Sequence, residues 1–342
     1  MNSSANITRR SLLAGSAMAA DMALTACGAS NAGSDDAGAG ASLTPITFCL
    51  DWTPNTNHTG IYVAQQQGFF ADEGLDVTIV QPSEDGAEAM IGTGQCQFGV
   101  SFQDYIANAL VAGNTSIQAV AAIIQHNTSG IMSRQEDGIT SAKGMEGHTY
   151  ATWELPVEQA TIKQVVEADG GDYSKVELVP NTFDDEVSAL KAGGVDTIWV
   201  YEGWSVQNAI VQDYPVNYFS FISIDDVFDF YTPVIAANAE WCAVNPEVAK
   251  AFLRAVKKGY DLAISDPDTA ADILCEAVPE LDASLVKQSA GFLAGEYQSD
   301  AASWGIIEAD RWAAFYQWLN DNNLVESPID VNAGWTMDYL EA

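Results

Sequence analysis

The sequence predicts an α/β protein of two lobes, and three observations support this prediction. Of the 342 residues, 48% are hydrophobic and 10% are aromatic, which is enough to bury a substantial core. From residue 46 onward, short β-branched or apolar runs alternate with longer segments of helical period, a pattern typical of α/β layers. A helix–glycine–strand unit at 89–100 has a counterpart at 189–200. We therefore expect two lobes of related build.

The predicted elements follow that alternation along the chain. The strands are predicted at 46–50, 77–80, 98–102, 119–124, 148–152, 176–179, 197–201, 218–222 and 234–237, with helices between them. After residue 245 only helices are predicted, at 246–265, 267–277, 283–293 and 308–322. In the first of these the apolar residues repeat every four positions, and we expect its basic residues, Lys250, Arg254, Lys257 and Lys258, to form a solvated face.

The internal repeat predicts where a ligand would bind. Each repeated strand runs into a polar and aromatic turn, at 101–103 in one unit and 201–204 in the other. Ligands of open α/β sheets bind beyond the carboxyl ends of strands, so two such lobes would enclose a cleft. Chance similarity is the alternative, because every doubly wound sheet contains helix–glycine–strand steps.

The charge of the chain excludes some classes of partner. With 47 acidic residues against 13 basic ones, the net charge is -34, which disfavours nucleic acids and anionic membrane surfaces. Adjacent acids such as Asp184-Asp185 and Asp225-Asp226 are interpreted as surface or helix-cap residues, because so acidic a chain contains such pairs by chance.

The N-terminal residues resemble an export signal. Arg9 and Arg10 precede an apolar run that is too short to span a membrane, and residues 24–27 read LTAC, like the lipobox of bacterial lipoproteins. We expect a signal peptide at 1–26, acylation of Cys27, and a flexible linker of small residues at 27–43. The protein would then be anchored by lipid at the outer face of the cytoplasmic membrane. A generic signal that happens to contain a cysteine is the alternative, and Tat or Sec export stays open.

The remaining cysteines, Cys49, Cys96, Cys242 and Cys275, lie far apart in apolar contexts. Their spacing forms no C-x-x-C pair, so no metal site is predicted and buried thiols are expected. The sequence leaves their disulfide state open.

Several motifs resemble one family. Residues 51–60 read DWTPNTNHTG and 68–77 read GFFADEGLDV; further matches lie at 125–130, 199–204, 231–234 and 279–282. They are similar to bacterial solute-binding proteins of the NMT1/THI5-like family, and the similarity runs from about residue 46 to the C-terminus.

The resemblance implies a type II periplasmic-binding-protein fold. Lobe 1 would comprise 44–134 and 236–342, and lobe 2 would comprise 135–235, with hinge crossings near 133–138 and 231–239. It further implies a monomer that delivers a thiamine pyrimidine precursor, hydroxymethylpyrimidine or formylaminopyrimidine, to the permease and ATPase subunits of an ABC importer.

The candidate ligand contacts suit a flat heteroaromatic ring. Aromatic faces could stack on it, and amides or a carboxylate could bond in its plane. The candidates are Trp52, Trp153, Tyr201 and Trp204 for stacking, Asn55, Asn57, Gln103 and Glu202 for hydrogen bonds, and His58, Ser129 and Tyr231 beside them. Glu202 could accept from an exocyclic amine or hold a protonated ring nitrogen. Asn55 and Asn57 could instead shape a turn or cap a helix.

The main alternatives are an enzyme and another ligand. Eukaryotic members of the family are pyrimidine synthases that use pyridoxal phosphate and one of their own histidines; the resemblance places Ser101 and Tyr105 where those enzymes have the lysine and the histidine. We therefore expect a binding protein without a cofactor. Another flat ring, such as riboflavin, is the alternative ligand.

Overall fold

The computed structural model describes residues 42–183 and 185–341. The expected signal peptide, the lipidation site Cys27 and most of the expected linker lie outside the described residues. Within the described ranges, no helix has both the length and the apolarity that a membrane span requires.

Strands and helices are interspersed up to residue 244, and the described elements after it are all helices. The strands are β1 (Thr44–Cys49), β2 (Leu75–Val80), β3 (Phe98–Ser101), β4 (Ile117–Ala122), β5 (Ser129–Arg134), β6 (Thr149–Thr152), β7 (Glu177–Pro180), β8 (Thr197–Tyr201), β9 (Val216–Ser220) and β10 (Val234–Asn238). The helices are α1 (Thr59–Gln66), α2 (Phe69–Asp72), α3 (Gly86–Gly92), α4 (Gln103–Val111), α5 (Pro156–Ala168), α6 (Glu186–Ala192), α7 (Gln207–Val211), α8 (Ala239–Val244), α9 (Pro246–Ser265), α10 (Pro267–Ala277), α11 (Ala283–Glu296) and α12 (Ala309–Asp321). Proline in the first turn of α9 and of α10 marks both starts.

The described strands form two mixed sheets. The first sheet has the order β2-β1-β3-β10-β4 and the second has the order β7-β6-β8-β5-β9. In each sheet one strand, β10 or β5, runs antiparallel to both of its neighbours. The repeated units of the sequence supply β3 and β8, which occupy the same central position in their sheets. The sequence repeat is therefore also a structural repeat.

Strand β5 was not predicted, and its position corrects the expected hinge. It pairs with β8 and β9, so 129–134 belong to the second sheet, and the chain crosses between the sheets at 123–128 and 221–233. Because β5 lies in the second sheet, two expectations are wrong: a first crossing at 133–138 and a lobe boundary after 134. Its signal is weak because it contains two serines and a glycine; a Cβ on Gly130 would lie 2.2 Å from the Phe219 carbonyl oxygen.

Helix α9 packs its apolar side against the first sheet, where the Phe252 ring stacks on Phe98 with centroids 4.0 Å apart. On its outer side, Arg254 and Lys258 both bind the Glu73 carboxylate, at 2.8 and 3.0 Å, and lower the pKa of that carboxyl. The basic face of α9 is thus largely neutralised within the chain rather than simply solvated.

The described cysteines are free thiols. Cys49, Cys96 and Cys242 are buried, as expected, whereas Cys275 is only half-buried.

Candidate functional site

A cavity of about 270 Å³ lies between the two sheets, where their strands end. Its described lining residues are Asp51, Trp52, Thr53, Asn55, Thr56, Asn57, Phe102, Ile124, Thr128, Asp185, Glu186, Tyr201, Gly203, Trp204, Ser205, Pro233 and Leu293. Drug-sized ligands occupy pockets of about 300–1,000 Å³, so this cavity suits a smaller molecule. Of the predicted contacts, it brings together Trp52, Asn55, Asn57, Tyr201 and Trp204.

The loop after β1 forms one wall and is held by a buried histidine. The His58 side chain is completely buried, and its Nε2 lies 2.6 Å from Asp51 Oδ1. Its Nδ1 accepts the backbone N–H of Asn55 at 3.1 Å, so the ring proton resides on Nε2 and is donated to Asp51. His58 thus positions Asp51 and does not itself line the cavity.

Asn55 has two roles in the same loop. Its side-chain oxygen accepts the backbone N–H of Asn57 at 2.9 Å and caps a short 3₁₀ turn, Thr56–His58. The side chain also lines the cavity. The capping role and the cavity-lining role, which were alternatives in the sequence, are therefore compatible.

The opposite wall begins where β8 ends. Tyr201 is 36% exposed, and the chain then makes a π-helical turn, Glu202–Val206, that carries Trp204 to the cavity. Gly203 must be small because a Cβ there would lie 2.6 Å from Leu293 of α11. The turn therefore packs directly against α11.

Helix α11 joins the two walls. The Ser289 hydroxyl lies 2.6 Å from that of Thr56 in the first wall, and it donates to the Gly203 carbonyl in the second. Gln288 also donates to Gln207, beyond the π-helical turn, at 3.0 Å. Closure of the cavity on this side thus depends on a C-terminal helix.

Two acids at the start of α6 complete the second wall. Asp185 caps the helix by accepting the Ser188 N–H at 2.6 Å, and its other oxygen accepts from Asn208 at 3.1 Å. The cap interpretation is thereby confirmed for Asp185, although it also faces the cavity. Burial raises the pKa of the neighbouring Glu186 carboxyl, and hydrogen bonds from its own N–H and from Ser205 only partly offset that rise.

Gln103 and Tyr231 lie outside the cavity and bind each other and the C-terminal region. The Gln103 side chain accepts the Tyr231 N–H at 3.0 Å and donates to the Trp312 carbonyl at 2.8 Å. The Tyr231 hydroxyl accepts the Glu308 N–H at 2.7 Å. Both side chains are fully buried against the C-terminal helices, so neither lines the cavity.

The other predicted contacts also lie elsewhere. Ser129 is buried in β5, and its hydroxyl has no hydrogen-bond partner among the described residues. Trp153 packs on Trp199, with ring centroids 5.6 Å apart. Glu202 donates its N–H to Thr128, and its carboxyl is half-buried near Glu296, so burial and that second charge raise its pKa. None of these side chains lines the cavity.

The lining residues that sequence reasoning missed include Asp51, Phe102 and Glu186. Asp51 directly precedes the predicted Trp52, and Phe102 follows a predicted strand, so a wider window at strand ends would have found them. Glu186 was hidden by the acidic run before it, which was interpreted as surface.

Two mixed sheets of matching order, joined by two crossings around a cavity, define a type II periplasmic-binding-protein fold. A similar fold is that of the periplasmic aliphatic sulphonate binding protein SsuA from Escherichia coli, with a TM-score of 0.68 at 14% identity over 86% of this chain and 98% of that one. The family model "NMT1/THI5 like" matches residues 55–270, and the chain belongs to this family.

Two relatives show the range of this family. The chain is 26% identical over 311 residues to the formylaminopyrimidine-binding protein of Halalkalibacterium halodurans, covering 90% of this chain and 92% of the relative. It is 25% identical over 314 residues to the 4-amino-5-hydroxymethyl-2-methylpyrimidine phosphate synthase THI13 of Saccharomyces cerevisiae, covering 87% and 88%.

Proposed function

We propose that this chain is the solute-binding protein of an ABC importer and captures a thiamine pyrimidine precursor, hydroxymethylpyrimidine or formylaminopyrimidine, in the cavity. The observation that carries the proposal is the cavity itself. It combines exposed aromatic faces with carboxylates in about 270 Å³, and its described lining contains no lysine or arginine. The printed name of the Halalkalibacterium halodurans relative supports the same ligand class.

The proposed contacts follow from the two walls. Trp52, 65% exposed, stacks on one part of the ring, while Tyr201 and Trp204 approach from the other wall. Glu186 accepts from the exocyclic amine, the role first expected of Glu202. Asn55 and Asn57 bond in the ring plane.

The charge of the lining favours such a ligand over a sulfonate. An anion requires Arg, Lys or backbone donors around it, whereas this lining has Asp51, Asp185 and Glu186. A carboxylate-rich cavity therefore repels the ligand class named for the Escherichia coli neighbour. The small volume also disfavours riboflavin, which has three fused rings and a long side chain.

The residue at the synthase-lysine position supports binding rather than catalysis. Ser101 is fully buried, and its hydroxyl donates to Glu88 at 2.6 Å. It has no amine with which to form a Schiff base, and Tyr105 follows where the synthases have a histidine.

Mass spectrometry of whatever small molecule co-purifies, followed by calorimetry with both pyrimidines, tests the proposal. We expect a 1:1 complex with a micromolar or lower Kd and no binding of an alkanesulfonate. Covalently bound pyridoxal phosphate would instead support a synthase, and a bound flavin would support the larger ring. Failure of both pyrimidines to bind would disprove the proposal.

Export and anchoring belong to the same proposal. A solute-binding protein must meet its ligand outside the cytoplasm and dock on the permease from that side. Acylation of Cys27 would keep it near the importer through a flexible linker, with no other membrane contact.

A further inference from the structure

The cavity walls contain acids whose charge no basic side chain balances. Asp51, Asp185 and Glu186 all face the cavity, and within the described part of the chain none forms an ion pair with lysine or arginine. His58, which contacts Asp51, uses its Nδ1 as an acceptor for a backbone N–H. It is therefore neutral in this arrangement and donates a hydrogen bond without contributing a positive charge.

These acids are not equally available to a ligand. Asp185 already accepts hydrogen bonds at both of its oxygens, from Ser188 and from Asn208. Asp51 accepts from His58 at Oδ1, and no described group donates to Oδ2. Glu186 receives hydrogen bonds from its own N–H and from Ser205 among the described residues. Asp51 and Glu186 thus keep acceptor capacity, and they stand on opposite walls.

A neutral ligand would leave these two carboxylates poorly compensated. Closing the cavity removes water from both, and an unpaired charge in such a place is costly. A cation would satisfy them through charge-assisted hydrogen bonds, which are about twice as strong as neutral ones. The aromatic faces of Trp52, Tyr201 and Trp204 add attraction, because the face of a π-system is negative.

We propose that the cavity selects planar cationic rings, with Asp51 and Glu186 as the selecting residues. If the proposed function is right, the pyrimidine precursor is bound in its ring-protonated form, with the exocyclic amine and the protonated nitrogen directed at these carboxylates. The selection itself does not depend on which ring is the natural ligand.

A shape-matched pair of probes tests the selection directly. The 1-methylnicotinamide cation and neutral 3-methylbenzamide have nearly the same outline and differ by one ring charge. In ligand-observed NMR titrations we expect the cation to bind at least about tenfold more tightly, because the carboxylates and the aromatic faces attract its ring charge. Equal affinities, or a preference for the neutral ring, would overturn the inference.

Variants identify the selecting residues. Glu186→Gln keeps the shape and removes the charge, and it should reduce the preference to a few-fold; Asp51→Asn is a second variant if the first does not fold. Glu177→Gln, at an exposed site on β7, is the matched control and should keep the full preference. A preference that survives both cavity variants would remove these residues from the selection.

The protonation state of a bound pyrimidine separates this inference from the proposed function. The probe is 4-amino-5-hydroxymethyl-2-methylpyrimidine with ¹⁵N in its ring, bound at pH 8. A ring nitrogen in the protonated range of chemical shift supports the inference, and an unprotonated ring in a tight complex overturns it while leaving the function intact. If neither hydroxymethylpyrimidine nor formylaminopyrimidine binds but the cation preference holds, the proposed function fails and the inference stands. If no probe binds, both fail.

Discussion

At the scale of single residues, His58 shows how a buried group can shape a cavity without lining it. Its two ring nitrogens are both used, one toward Asp51 and one toward the Asn55 backbone. The orientation of the cavity carboxylate is therefore set by a side chain that no solvent reaches.

We predict that His58→Ala destabilises the protein and also weakens ligand binding. The change leaves a cavity and removes the partners of a carboxylate and an amide, which should lower the free energy of unfolding by about 2–4 kcal/mol. Urea unfolding and calorimetry measure the two effects. His148→Ala, at a half-buried site outside the cavity lining, is the control and should change stability by less than about 1 kcal/mol. Equal losses for the two variants would contradict the positioning role.

We also predict that Glu186, rather than Glu202, carries the polar recognition of the ligand. Glu186→Ala should cost a hydrogen bond to a charged group, about 1.5–3 kcal/mol, or roughly 10-fold to 150-fold in affinity. Glu202→Ala should change affinity by less than about threefold, because its carboxyl lies outside the cavity lining. Calorimetry with the pyrimidine compares them, and the reverse ranking would restore the role expected from the sequence.

At the scale of elements, His126 is one of the residues that join the two crossings between the sheets. His126, on 123–128, lies 2.7 Å from Asp229 of the second crossing and 2.9 Å from Asp300, which follows α11. Arg311 of α12 also reaches Asp229, at 3.4 Å. These contacts connect both hinge segments to the C-terminal helices.

The His126 cluster predicts a dependence of stability on pH. Burial alone would lower the pKa of His126, but the hydrogen bonds to Asp229 and Asp300 outweigh it and raise the pKa. A raised folded pKa means that the stabilisation is complete below the ordinary value of about 6.5 and is lost as pH rises through the raised value. Thermal unfolding between about pH 5.5 and pH 9 should show the wild type losing its advantage over His126→Gln as pH increases. A difference independent of pH would disprove the link.

At the scale of the whole molecule, the cavity is built from two sheets, and within residues 42–183 and 185–341 the chain crosses directly between them twice. Helices α11 and α12 reach across as well; Trp318 of α12 donates to Gln164 of α5 at 2.6 Å. Relative movement of the two halves would therefore strain these side-chain contacts of the C-terminal helices.

We expect ligand to draw the two walls together, because it contacts both. Solution scattering should show a smaller radius of gyration when the pyrimidine is added to ligand-free protein. Adding an alkanesulfonate is the control and should leave the profile unchanged. No change at saturating pyrimidine would count against a clamp that closes on its ligand.

A last prediction concerns Cys27, which lies outside the described residues. If the lipobox interpretation is right, wild-type protein fractionates with membranes and Cys27→Ala is released in soluble form, because it lacks the acyl chains that would anchor it. Cys275→Ala is the matched control and should remain with the membrane. Equal membrane association of all three proteins would disprove the anchor.

Local sequence patterns are sufficient to predict the fold class, the family and most element positions. Hydrophobic periodicity, and the proline or glycine that begins or ends a helix, are local signals. They therefore predicted α9 and α10 with the bounds these helices have in the structure. The motif at 51–60 and the aromatic turn at 201–204 likewise marked both walls of the cavity, because ligand-binding residues follow strand ends.

Tertiary packing decides which side chains line the cavity and which are buried in the core. Gln103 and Tyr231 turn toward the C-terminal helices because their polar groups find buried partners there. Glu186, not Glu202, lines the cavity, since side-chain direction in a turn depends on what packs behind it. Strand β5 forms for the same kind of reason: its small residues have little strand propensity, and pairing with β8 and β9, distant in sequence, supplies the stabilisation.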